Sequence, residues 1–179
     1  MGEFVTRAAT LEDLAGIRAL MDRAIGELQA PFLTPEQIHA SRESMGVDTR
    51  LIADGTYFLV EDDGLPVGCG GWSRRATLYG GDHAAALRDD RLLDPCREPA
   101  RVRAMYTHPS HARRGIGRLI LGTCEAAARA AGFTRVELMA TLAGEPLYTA
   151  CGYRLVRRVE RLSQSGVPLP GAVMAKDLA

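Results

Sequence analysis

The chain has almost no lysine. Of its 22 lysines plus arginines only Lys176 is a lysine, and 22 aspartates plus glutamates balance them to a formal charge of zero. A neutral chain lacks the basic footprint of a nucleic-acid binder, so no nucleic-acid partner is expected. Also missing is any apolar run of about 18 residues, the length needed to span a bilayer. The opening residues, MGEFVTRAATLEDL, lack the basic and apolar blocks of a signal peptide, and Gly2 with Thr6 in a poor context gives no reason to expect myristoylation. These absences predict a cytoplasmic protein with no membrane partner. Cysteine is sparse, at positions 69, 96, 124 and 151, with no C-x-x-C pair. The even spacing is not a repeat, because the flanks GCGG, PCRE, TCEA and ACGY share nothing. Reduced, mostly buried thiols follow. His108 and His111 have Pro109 between them and no carboxylate partner, so no metal is expected. Residues 1–179 suffice for one domain with a substantial core.

What the chain does have is the stretch RRGIGR at 113–118, followed by LILGTCEAAARAAG. Ile116, Leu119, Ile120, Cys124, Ala127 and Ala131 recur at helical spacing and predict one buried stripe, with Gly132 as the stop. Two readings of the stretch stand: a solvated basic turn, or a seat for an anion. A helix start offers unpaired amides and a positive dipole end. Gly115 and Gly117 would remove β-carbons from the approach, and Arg113, Arg114 and Arg118 supply charge of the right sign. Known nucleotide fingerprints fail on named residues. A dinucleotide motif needs glycine where Ile120 stands, and a P-loop needs lysine where Thr123 stands.

The order of elements sharpens the choice. EFVTRAA reads as a strand; Thr10 and Asp13 cap a helix with Leu11, Leu14, Ile17, Met21, Ile25 and Leu28 inward. Thr34, Pro35 and Gln37 start a second helix. TYFLVED and LPVGCGGWSR flank the turn DDG as a hairpin. A long irregular segment from 75 to 100 precedes the strand RVRAMYTHP; the 116–131 helix, the strand RVELMA, the short helix GEPLYTACG and the strands YRLVRRVE and VPLPGAVMAKDL follow. The pattern predicts a mixed α/β sheet. The strands on either side of the 116–131 helix should be parallel neighbours, and ligands in such sheets bind beyond strand C-termini, where RRGIGR lies.

The run RVRAMYTHPSHARRGIGRLILGTCEAAARAAGFTRVELMATLAGEPLYTACGY (101–153) resembles the GNAT superfamily of acyl-CoA-dependent N-acetyltransferases, and the element order extends the resemblance over nearly the whole chain. The resemblance implies a mixed, mostly antiparallel sheet of six to seven strands with a central, splayed parallel pair, flanked by helices. It implies acetyl-CoA as cosubstrate, no metal, and transfer of the acetyl group to a primary amine in a ternary complex. Amides of Arg113, Arg114, Gly115, Ile116, Gly117 and Arg118 would cradle the pyrophosphate, and backbone groups of Met105 and Thr107 would meet the thioester and pantetheine. Tyr148 falls on the family tyrosine that protonates the departing thiolate; without the resemblance it reads equally as a core tyrosine. Three positions depart from the pattern: Ala112 replaces a Gln or Arg, Thr141 an Asn, and Arg101 a glutamate base.

No base is carried over, so Asp82, His83, Asp94 and Glu98 are the candidates, Glu98 first because it precedes the strand that would present the thioester. The 75–100 segment, longer than an ordinary connection, is expected to wall the acceptor pocket together with the first two helices. Seven arginines and five carboxylates between 74 and 103 favour no acceptor charge. The acceptor is therefore left as a small-molecule or peptide amine, and a homodimer is left open. A rival reading is a non-catalytic acyl-CoA sensor.

Overall fold

The computed structural model describes residues 4–178, so Gly2 and the first residue of the expected EFVTRAA strand lie outside the described residues. Seven strands form one sheet: β1 (Val5–Ala8), β2 (Tyr57–Asp62), β3 (Leu65–Ser73), β4 (Ala100–Thr107), β5 (Arg135–Ala140), β6 (Arg154–Leu162) and β7 (Pro168–Asp177). Their spatial order is β1-β2-β3-β4-β5-β7-β6. Every pairing is antiparallel except β4 with β5. That parallel pair is registered only at Ala100↔Val136 and Arg101↔Glu137. Beyond those residues the two strands part, and the splay opens a wedge toward their C-terminal ends.

The helices begin where short polar side chains satisfy orphan amides. Thr10 N–H donates to Asp13 at 2.7 Å, and Arg7 grips the same carboxylate at 2.7 and 2.9 Å. The chain takes a 3₁₀ turn there before α1 (Leu14–Leu28). Thr34 and Gln37 make a reciprocal capping box for α2 (Pro35–Ser41). A helix with no apolar period to announce it, α3 (Thr49–Ala53), is held by Asp48 accepting from Arg50 N–H and Asp82 accepting from Thr49 N–H. The last two are α4 (Ile116–Ala130) and α5 (Glu145–Ala150).

Two predicted helix faces lie on the core but lose residues at their edges. Leu11 is exposed, and α1 buries Ile17, Leu20, Met21, Ala24 and Ile25. Helix α4 buries Ile116, Ile120, Leu121, Cys124, Glu125 and Ala128, while Leu119 and Ala131 face out. Glu125 is inside because the sole lysine, Lys176 on β7, meets it at 2.7 Å.

Helix α4 covers one sheet face, and α1 and α3 help cover the other. Its closeness to β3 comes from the GCGG run. A Cβ on Gly68 would collide with Ile116 Cγ2, and one on Gly70 would lie 2.7 Å from Ile120 Cγ2. The isoleucine knobs fill the space the missing side chains leave, and each fully buried apolar side chain stabilises by about 1.5–3 kcal/mol. The N-terminus of α4 is thereby fixed over the wedge.

Candidate active site

The site is built around an irregularity in β4. Gly70 of β3 faces two residues of β4, Ala104 and Met105, where the register shifts between Cys69 and Gly71. Ala104 has φ +50°, and the buried Tyr57 hydroxyl donates to its carbonyl at 2.8 Å. This is a β-bulge, which bends the strand that carries it. The bend turns Met105, Tyr106 and Thr107 into the wedge beside β5.

A groove of about 690 Å³ follows. Its floor is Met105–Thr107, one wall is Ala24, Ile25 and Leu28 of α1, and another is Leu147 and Tyr148 of α5. Arg113 and Gly115–Arg118 close its mouth. The loop before α4 has Arg113 at φ +66° and Gly115 at φ +87°. No side chain caps the helix at Gly115. The amides of Ile116, Gly117 and Arg118 therefore have no acceptor within the helix and, with the helix dipole, favour an anion.

All the residues expected at the site line this groove except Arg114. The Arg114 side chain reaches Asp62 at 3.3 Å and lies 5.0 Å from the Phe4 ring, leaving only its backbone at the loop. His111 joins Asp62 at 3.2 Å, so the HPSH turn is tied to β2. The two glycines have different reasons. Gly115 needs its left-handed backbone and has open space where a side chain would point, whereas a Cβ on Gly117 would lie 2.7 Å from Leu147 Cδ2. Gly117 thus permits contact between α4 and α5, a role beyond the ligand access expected of it.

Tyr148 is 92 % buried by its 8 % residual exposure, and its hydroxyl has no hydrogen-bond partner among the described residues. Its ring packs 5.8 Å from that of Tyr153. Burial raises the phenol pKa above its ordinary value, with Cys124 and Cys151 adding to the effect. Such a group is a proton donor and not a base. Thr141, at the place of the departed Asn, accepts from Gly144 N–H at 3.2 Å and so steadies the start of α5.

At Met105, Tyr106 and Tyr148 the groove meets a smaller chamber of about 130 Å³. Ser44–Gly46 wall it on one side and Leu78–Gly80 of the long segment on another, with Arg103 and Arg161 also in the lining. The wall from the helical side is thus the Ser44–Gly46 turn rather than the body of α2. Arg103 is buried and paired with Asp48 at 2.7 Å. Arg161, far along the chain on β6, lies 4.5 Å over the Tyr79 ring.

None of the four proposed bases lines either space. Asp82 is spent on Thr49, and the His83 ring meets the Arg42 carbonyl at 2.8 Å. Asp94 accepts from Cys96 N–H at 3.0 Å. Glu98 is gripped by Arg91 at 2.9 and 3.0 Å, which holds its carboxyl down to about 2. It also precedes the N-terminal end of β4, opposite to Met105 and Thr107, so the preference for it is overturned. Arg101, in the place of the family glutamate, pairs with Glu137 at 2.6 Å.

A family model of the acetyltransferase (GNAT) domain matches residues 53–155. The chain belongs to the GNAT family. This GNAT domain, an acyltransferase by family, is similar across its length to solved structures. The GCN5-related N-acetyltransferase of Rhodopseudomonas palustris is 20 % identical with TM-score 0.73, covering 99 % of this chain and 98 % of that one. The PaiA N-acetyltransferase of Thermoplasma acidophilum, in complex with coenzyme A, is 12 % identical with TM-score 0.65, covering 98 % and 99 %. A ribosomal-protein-alanine N-acetyltransferase of Brucella melitensis is 19 % identical with TM-score 0.64, covering 97 % and 99 %. At these identities the likeness concerns the fold. No curated protein sequence matches. Among the described residues no helix is long and apolar enough to cross a membrane, and no cluster of three or more metal-ligating side chains occurs.

The sequence reading missed the bulge and Arg161. Ala104 looks like any strand residue, and only Gly70 opposite it hinted at an irregularity. Arg161 is 58 positions from Arg103 in number, and nothing local links them.

Proposed function

We propose that residues 1–179 form one catalytic domain that transfers the acetyl group of acetyl-CoA to a primary amine by direct attack. The observation that carries this reading is the uncapped start of α4 opening into a groove that ends at Tyr148. Complexes of similar folds with coenzyme A, such as the Thermoplasma PaiA enzyme, support the cosubstrate. The bound molecule supplies an acetyl thioester whose carbon accepts the amine.

In this reading the amides of Ile116–Arg118, with Arg113 and Arg118, hold the pyrophosphate. Because β4 and β5 pair only at Ala100 and Arg101, backbone groups of Met105 and Thr107 would meet the pantetheine arm in the wedge. The amine reaches the thioester from the small chamber, the C–N bond forms, the C–S bond breaks, Tyr148 gives its proton to the sulfur, and the proton the nitrogen sheds on becoming an amide returns to the Tyr148 oxygen through water. An amine with a pKa of about 10 must first lose its own proton. With no carboxylate or imidazole among the described residues that line the chambers, that proton leaves through water. An exposed free thiol at Cys96 fits a reducing, cytoplasmic setting.

The missing base favours one other reading, an acyl-CoA sensor without turnover. Free-thiol release across a panel of amines, amino acids and peptides separates the two. Transfer predicts release that depends on the amine and yields the acetylated acceptor; release independent of every amine, or none at all, would overturn it.

A further inference from the structure

The small chamber beside Tyr148 has a charge of one sign. Arg103 and Arg161 line it, and among the described residues no aspartate or glutamate does. The two arginines are not equivalent. Arg103 is compensated from behind by Asp48 at 2.7 Å, within a mixed network that includes Arg88 and Asp82. Arg161 has no carboxylate within ion-pair distance among the described residues; its only side-chain hydrogen bond is a long one of 3.3 Å to Ser44 Oγ. Its Nε is buried and makes no hydrogen bond, nor does Nε of Arg103.

A guanidinium with a buried donor left unpaired is costly unless something anionic completes it. Here the fork is held in place, because Tyr79 supports it from its face at 4.5 Å. Arg161, Tyr79 and Ser44 also line an outer pocket of about 100 Å³, so they stand between that pocket and the chamber beside Tyr148. The outer pocket contains one carboxylate, Glu43, which already accepts from Ser165 N–H at 3.1 Å.

We propose that the acceptor is a small amino-carboxylate and that Arg161 reads its carboxylate, a specificity rather than a catalytic role. This rests on the acetyl-transfer reading. A carboxylate suits the planar fork, which pairs with it bidentately. A chamber of about 130 Å³ admits a small molecule and not a folded chain. A purely cationic amine is disfavoured there, since it would meet Arg161 with no carboxylate to offset the repulsion. Binding the carboxylate at Arg161 leaves the amine on the side of Tyr148 and Met105, where the two spaces join. The balanced charge of the long segment concealed this, because its acids face other partners.

The test compares free amino acids with their amides and decarboxylated amines as acceptors, in the parent and in Arg161→Gln and Arg161→Lys. The expected parent prefers the free carboxylate in kcat/KM. Arg161→Gln should lower that preference about tenfold or more, the effect of a lost charge-assisted hydrogen bond, acting mainly through KM. Arg161→Lys should restore part of it. Calorimetric binding of coenzyme A checks that both variants retain the folded groove. Binding of amino acids to the CoA-loaded protein is measured alongside. If amino acids bind in an Arg161-dependent way and none is acetylated, the transfer reading falls and the carboxylate site stands. Amides used as well as acids, a preference unmoved by Arg161→Gln, or no amino acid bound or acetylated would each overturn the proposal.

Discussion

Tyr148 owes its raised pKa to where it is buried rather than to a hydrogen-bonding partner. Burial raises the pKa of its phenol above the ordinary 10, with Cys124 and Cys151 adding to the effect. The sign follows directly: a proton donor is competent while protonated and is lost only as pH rises through its pKa. Between about pH 6 and 10 it should therefore add no falling limb to the rate, and a rise over that range reports deprotonation of the acceptor amine. Tyr148→Phe keeps the ring that packs on Tyr153 and removes only the hydroxyl. We expect kcat to fall about 10-fold or more, toward the low end of the 10² to 10⁴ range for acid–base groups or below it, because a thiol leaves partly as thiolate unaided. Acetyl-CoA affinity and melting temperature should barely change. Steady-state kinetics with the true acceptor decide it. Parent-like turnover would make Tyr148 a packing residue, and a joint loss of affinity would make its hydroxyl a binding contact.

At the scale of elements, what matters is how closely α4 approaches its neighbours. Gly68 and Gly70 let it sink onto β3, and Gly117 lets α5 approach its first turn. Valine at 117 would press on Leu147 Cδ2, 2.7 Å from the new Cβ, and push α5 outward with Tyr148 on it. Gly117→Val is thus expected to cost both acetyl-CoA affinity and kcat, with Leu147→Ala in the same chain restoring part of each. A double-mutant cycle on kcat and on calorimetric affinity measures the coupling. Additive effects, with no rescue, would mean that Gly117 serves the ligand alone. The sequence makes the caps of α1 and α2, the hairpin turn at Asp63–Gly64 and the start of α4 legible because those signals lie within a few residues. It conceals the α4–α5 contact because Gly117 and Leu147 are 30 positions apart. Helix α3 escapes for another reason: its five residues are too few to show a period, and part of its cap, Asp82, comes from a distant loop.

Over the whole molecule, the groove lies where separately supported parts meet: α1 on one face, α4 on the other, α5 beyond β5, and the bent β4 between them. The uncapped start of α4, the proposed phosphate seat, and Tyr148 could be read from the 101–153 run. The opening between them could not, since it depends on a register shift opposite Gly70 and a parallel pair held at only two residue pairs. A ligand that binds only the folded state raises its stability by mass action. At a hundredfold excess over Kd the gain is about 2.7 kcal/mol, or roughly 5–10 °C in a domain of this size. Acetyl-CoA and CoA should both give that shift at saturation. Pantetheine, which lacks the pyrophosphate, should give much less at equal concentration, because it leaves the amides of Ile116–Arg118 unmatched. Gly115→Val should blunt the CoA shift toward the pantetheine value, since valine resists the left-handed backbone at φ +87° that shapes the seat. Equal shifts from CoA and pantetheine in the parent would place the binding energy along β4 and remove the phosphate seat from the account.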